Sequence, residues 1–185
     1  MRVEYADDTQ DHGPVLVFPP HENYLDLREN PHSVDRIASA RRYLPLRNFL
    51  TALNGAESLF ATAGATTKCD SPAAISGDSN YEFASETSLV FAESAFNFDR
   101  ERFAEIGAGL RELLDREKGD AVRAVLRIFV CDFPALKKRG FCPVIRLVAQ
   151  GDSTRQAELR WGLGLARVQQ ALLFRARSLR QQVAK

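Results

Sequence analysis

Apolar positions along the chain follow two rhythms, and the switches between them mark out the elements. After Ser33, a residue suited to cap a helix, Val34, Ile37, Ala38 and Tyr43 recur at helical spacing. Pro45 interrupts that helix; Leu46, Phe49, Leu50 and Leu53 mark a second short one, which Asn54-Gly55 ends. From 57 to 69 the period drops to two. Leu59, Ala61, Ala63, Ala65 and Thr67 alternate, which predicts a strand with small side chains on one face and Gly64 as a bulge or a point of close approach. Residues 71–80 hold Pro72, Gly77 and Asp78 and predict a loop.

Residues 81–96 have β character, with a break near 85–88 that divides them into two strands. Asn97 or Asp99 then caps a helix whose stripe is Phe103, Ile106, Leu110, Leu113 and Leu114 and whose stop is Gly119-Asp120. In the strand over 121–131, Val122, Ala124, Leu126, Ile128 and Val130 share one face and Arg123 and Arg127 alternate with them. A turn over 134–140 leads to a strand over 141–149.

The last segment satisfies both rhythms at its start. Ser153 and Gln156 have the spacing of a capping box, and Trp161, Leu165, Val168, Leu172, Ala176, Leu179 and Val183 recur as a helix stripe. Leu159, Trp161, Leu163 and Leu165 also alternate like a strand, and each of Gly162 and Gly164 costs a helix about 1 kcal/mol relative to Ala. The longer stripe favours one helix over 154–182, with the glycines allowing close contact with a sheet. Residues 1–32, punctuated by Asp7, Asp8, Asp11, Pro14, Pro19, Pro20 and Pro31, predict an irregular segment with a short strand at 15–18. Residues 33–185 form the single α+β domain of this reading.

Cys69-Asp70-Ser71-Pro72-Ala73 and Cys131-Asp132-Phe133-Pro134-Ala135 share four of five residues, 62 positions apart, each at the end of a strand. The element order is therefore α-β-β-α-β-β-α, an internal duplication. It predicts an α+β fold: an antiparallel sheet of four or five strands, helices mainly on one face and a long C-terminal helix. That order is similar to the secretion-chaperone-like folds, in which a small α+β protein dimerises and cradles another chain. The likeness is one of order and involves no motif.

Composition is that of an ordinary globular chain, 45% hydrophobic and 26% charged. The start, MRVEYADD, lacks the pattern of a signal peptide, and no apolar run approaches the roughly 18 residues of a membrane span. Three cysteines fit a reducing compartment, so a cytoplasmic location with no membrane association is expected. The net charge of +1 hides a segregation: residues 1–120 hold 12 basic and 21 acidic side chains, residues 121–185 hold 13 and 3. Halves that face each other within the fold or across a dimer account for this more simply than nucleic acid does, and nucleic acid is not the expected partner.

Candidate chemistry is sparse. Cys69, Asp70, Cys131 and Asp132, with Cys142 across the second hairpin, would make a thiol–carboxylate pocket if the two repeated turns met. Buried small cysteines, turn-capping aspartates and strand-stopping prolines explain the same residues structurally. His12, His21 and His32 lack the spacing of a ligand set, and no phosphate loop or nucleophile elbow occurs, so no metal or cofactor is expected. Arg160, Arg167, Arg175, Arg177 and Arg180 are the candidate basic surface, but at 100° per residue they scatter over more than half of the last helix. The expectation that follows is a non-enzymatic protein-binding or chaperone-like homodimer working through an exposed sheet face. The alternatives are a small enzyme at the Cys-Asp turns and a nucleic-acid binder using the basic C-terminal third.

Overall fold

The computed structural model describes residues 1–9, 14–20, 24–70, 81–115 and 121–183, without the side chains of 68–70 and 180–183. The loop predicted at 71–80, the Gly119-Asp120 stop, His12 and His21 lie outside them; His32 is exposed in a turn. The elements run β1 (Arg2–Asp7), β2 (Leu16–Val17), a 3-10 turn (Pro31–Arg36), α1 (Ala38–Arg42), α2 (Leu44–Asn54), β3 (Phe60–Asp70), β4 (Tyr81–Phe91), a 3-10 turn (Ser94–Phe98), α3 (Arg100–Leu114), β5 (Val122–Phe133), β6 (Lys138–Gly151) and α4 (Thr154–Val183).

The fold is α+β, but its sheet is mixed and six-stranded rather than purely antiparallel with four or five strands. The order is β1-β5-β6-β4-β3, and β2 pairs with β5 beyond β1. Both additional strands come from the N-terminal segment and run parallel to β5. Its acidic residues and prolines predicted irregular chain; Met1 and Val3, only 4% and 5% exposed, draw β1 onto the edge of β5, and Asp7 pairs with Arg100 of α3.

The two predicted hairpins are present. Their arrangement β3-β4-β6-β5 is the one that an approximate twofold between β4 and β6 produces, with β4 and β6 antiparallel at the centre. β4 runs unbroken through 85–88 because Ser85 and Thr87 are buried on the helix side, where Ser85 Oγ accepts the Trp161 indole N–H at 2.9 Å. Beyond Phe91 the strand gives way to the 3-10 turn, and the Asn97 side chain bonds both the Phe91 N–H (2.7 Å) and the Phe91 carbonyl (2.9 Å). Asp99 is the α3 cap, accepting from the N–H groups of Glu101 and Arg102.

The predicted start at Ser33 is instead a 3-10 turn with Ser33 buried inside it, and Pro45 sits in the first turn of α2, where its missing N–H costs nothing. The segment over 157–165 is helical. Gln156 N–H bonds Ser153 Oγ at 3.2 Å, and Gln156 Oε1 accepts the Asp152 N–H at 2.7 Å. A Cβ on Gly164 would lie 2.9 Å from Val122 Cγ1 and 3.1 Å from Leu147 Cδ2, so this glycine does set α4 against the sheet; Gly162 instead meets Pro45 of α2.

α2, α3 and α4 cover one face, over a core that includes Phe49, Phe60, Phe83, Phe91, Phe103, Leu126, Leu147, Trp161 and Leu172. The other face has a small core of its own, made by Ala61, Ala63, Val90, Cys131, Phe133 and Cys142 beneath Leu16, Phe18 and Phe98. Elsewhere that face presents exposed Arg123, Arg127 and Arg146 between buried Val125 and Val148.

Candidate functional site

Among the described residues, the large apolar side chains that are more than half exposed, Leu44, Leu159, Leu163 and Phe174, all lie on helices. Leu44 begins α2, and Leu159 and Leu163 stand one turn apart on α4; they are 61%, 64% and 58% exposed. With Pro45, Gly162 and Ala166 they border a groove of about 620 Å³ between the two helices, rimmed by Asn48, Arg155, Glu158 and Gln169. Farther along α4, past exposed Arg167 and Gln170, Phe174 is 56% exposed beside Leu113 and Leu114 of α3. Full exposure of a large apolar side chain forgoes roughly 1.5–3 kcal/mol relative to burial, so three leucines around one groove are a feature to be explained.

The local sequence dictates this arrangement. On a helix, Trp161, Leu165, Val168 and Leu172 form the buried stripe, and Leu159 and Leu163 fall outside it. These two leucines gave the segment its strand-like alternation. Read as a strand pattern they look like half of a buried face; as helix residues they are surplus apolar positions, and that surplus was the signal available in the sequence.

Of the thiol–carboxylate set, the structure brings together only Cys131 and Cys142. They project to the same side from β5 and β6, two positions apart in register, and both are buried free thiols. The hydrogen bond between the thiols lowers the Cys131 pKa and, together with burial, raises that of Cys142, whose Sγ also lies 3.1 Å from the Leu89 carbonyl oxygen. Asp132 pairs with Arg139 at 2.8 Å on the hairpin. Cys69 and Asp70 are in register with Phe83 and Glu82, and Phe83 aligns through Ala149 with Val122, at the opposite end of β5 from Cys131. Nine residues of strand separate those ends, about 30 Å, so the repeated turns occupy opposite corners of the sheet. No group of three or more His, Cys, Asp or Glu suited to a metal ion occurs among the described residues.

The basic candidates also separate. Arg160 Nη1 donates to the Gln150 carbonyl at 2.7 Å and so tethers α4 to the end of β6. Arg175 pairs with Glu112 of α3 at 2.9 Å, while Arg167 and Arg177 are exposed; the Arg180 side chain lies outside the described set. No helix among the described residues is long and apolar enough to cross a membrane. No protein-family model, curated protein or solved structure matches the chain.

Proposed function

We propose that this chain is a non-enzymatic protein-binding module that acts as a homodimer, and that its copies join through the α2–α4 face. The observation that carries this reading is the clustering of Leu44, Leu159 and Leu163, all more than half exposed, around one groove. The open sheet face, where an α+β sheet with helices on one side would otherwise be expected to bind, is strapped by Leu16 and Phe18 at one end and carries arginines over the rest.

A second copy suits the groove because α4 is complementary to itself. Laid antiparallel about a twofold between Gly162 and Leu163, Leu163 of each helix lies against the partner's Gly162 at the floor of the groove. Leu159 then covers the partner's Ala166, and Glu158 faces the partner's Arg167. An apolar centre with a charged pair at its rim is the usual composition of such an interface.

Mass measured by sedimentation or light scattering tests this directly. Wild-type protein at micromolar concentration should weigh twice the chain mass of 20.7 kDa. A Leu159→Glu/Leu163→Glu variant should weigh one chain mass and keep its far-ultraviolet circular dichroism, since neither leucine belongs to the core. A monomeric wild type would sink the proposal.

A further inference from the structure

Among the described residues, the free edge of β3 is sealed at its start, at Phe60 and Thr62. Arg28 Nη1 donates to the Phe60 carbonyl at 2.9 Å, the Tyr24 hydroxyl donates to the Thr62 carbonyl at 2.8 Å, and the Thr62 N–H donates to Asn54 Oδ1 at 3.0 Å. Side chains from two parts of the chain, the segment before α1 and the end of α2, thus occupy backbone groups that point away from the sheet. The far edge has a counterpart in the Val3 N–H of β1, which donates to the Asp115 carboxylate at 3.4 Å. Unpaired edge groups are a template for another strand, so closing them is what a chain does where pairing is to be prevented.

The same bonds fix the phase of β3. Phe60 and Thr62 stand opposite Phe91 and Leu89, and the N–H and carbonyl of Phe91 are taken by Asn97, so these are pairs that exchange no ladder bonds. The register shifts between Thr62 and Gly64, and beyond it the outward phase falls on Ala65, Thr67 and Cys69, opposite Thr87, Ser85 and Phe83. On β4, those three residues face Ile145, Leu147 and Ala149 of β6. Among the described residues, nothing pairs with the outward N–H and carbonyl groups of Ala65 and Thr67.

We propose that residues 65–69 of β3 form a strand-addition site for a short extended segment of another polypeptide. Ala65 and Thr67 point to the helix side, where Ala65 packs on the core, so the added strand presents a β-branched apolar side chain there. Gly64 and Thr66 are exposed on the other face, which favours uncharged polar side chains on alternate positions of the segment. Tyr24, Arg28 and Asn54 stop it at Thr62. This site stands apart from the α2–α4 face and does not depend on it.

A labelled peptide of alternating Val and Thr, titrated with the full chain and followed by fluorescence anisotropy, is the probe. Because the Thr67 N–H points away from β4, Thr67→Pro removes an edge donor without removing a ladder bond. Saturable binding is expected, weakened about fivefold by Thr67→Pro, which loses one hydrogen bond, and about tenfold or more by N-methylation of alternate peptide amides, which loses at least two. Leu159→Glu/Leu163→Glu should bind the peptide like wild type, which separates this site from the proposed dimer face. Absence of saturable binding, or equal binding of the methylated peptide, would overturn the proposal. Self-association without peptide that Thr67→Pro abolishes would also overturn it, in favour of β3 pairing between copies. If Thr67→Pro loses the native circular dichroism, the methylated peptide on wild-type protein decides.

Discussion

At the scale of single residues, buried polar side chains do the finishing that hydrophobic pattern leaves undone. Asn97 is 2% exposed, and its amide satisfies both backbone groups of Phe91 at the point where β4 leaves the sheet. Asn54, 5% exposed, does the same for the start of β3 through Thr62 and the Leu50 carbonyl. Asn97→Ala strands two buried backbone groups at a cost of about 1–3 kcal/mol each, less whatever water recovers. The expected loss in urea unfolding is about 2–3 kcal/mol, with the denaturant slope unchanged. A loss under about 0.5 kcal/mol would mean that other groups hold that end of β4. Neither asparagine announced its role in sequence. Asp99, by contrast, was legible as one of two candidate caps, because a helix cap is a local motif. Asn97 was the other candidate; its true partners are the backbone of Phe91, set by a turn that no local rule specifies.

At the scale of elements, what was legible depended on whether the decisive contact was near in sequence. The α4 boundaries followed from Ser153, Gln156 and a stripe of seven apolar positions. The face of β3 did not follow so simply. Ala61 and Ala63 belong to the small core on the open side, whereas Ala65 packs on the helix side, because the register shift between Thr62 and Gly64 moves the alternation by one. Gly64 itself has open space around its Cα, so of its two predicted roles the bulge is the one observed. Gly164 sets propensity against packing. Alanine there gains roughly 1 kcal/mol as a helix former, but its Cβ would stand 2.9 Å from Val122 Cγ1 and 3.1 Å from Leu147 Cδ2. Val122 and Leu147 are β-strand residues with little room to retreat, and overpacking of this kind costs about 1–3 kcal/mol. Gly164→Ala should therefore lower stability by about 1 kcal/mol in a denaturant titration. A more stable variant would show that α4 lifts from the sheet without penalty.

At the scale of the whole molecule, the segregated charge becomes a set of contacts between the two halves of the chain. Asp8 meets Arg127 at 3.8 Å, Glu86 meets Arg146 at 3.6 Å and Glu112 meets Arg175 at 2.9 Å. In every one of these pairs at least one side chain is half-exposed or more, so each is worth no more than about 1 kcal/mol. The same halves are joined by β4 against β6 and by a core that runs from Phe49 and Phe83 through Leu147 and Trp161, all nearly inaccessible. Sequence counting revealed the charge imbalance but not its weight, since linear composition contains no distances. The weight can be measured. Sodium chloride at about 1 M shortens the Debye length to roughly 3 Å and removes most of the benefit of exposed pairs, while leaving apolar burial intact. If the pairs only complement surfaces already held by the core, the thermal midpoint should move by no more than a few degrees between low and high salt. A fall of about 10 °C or more would show that charge, not the shared core, holds the halves together.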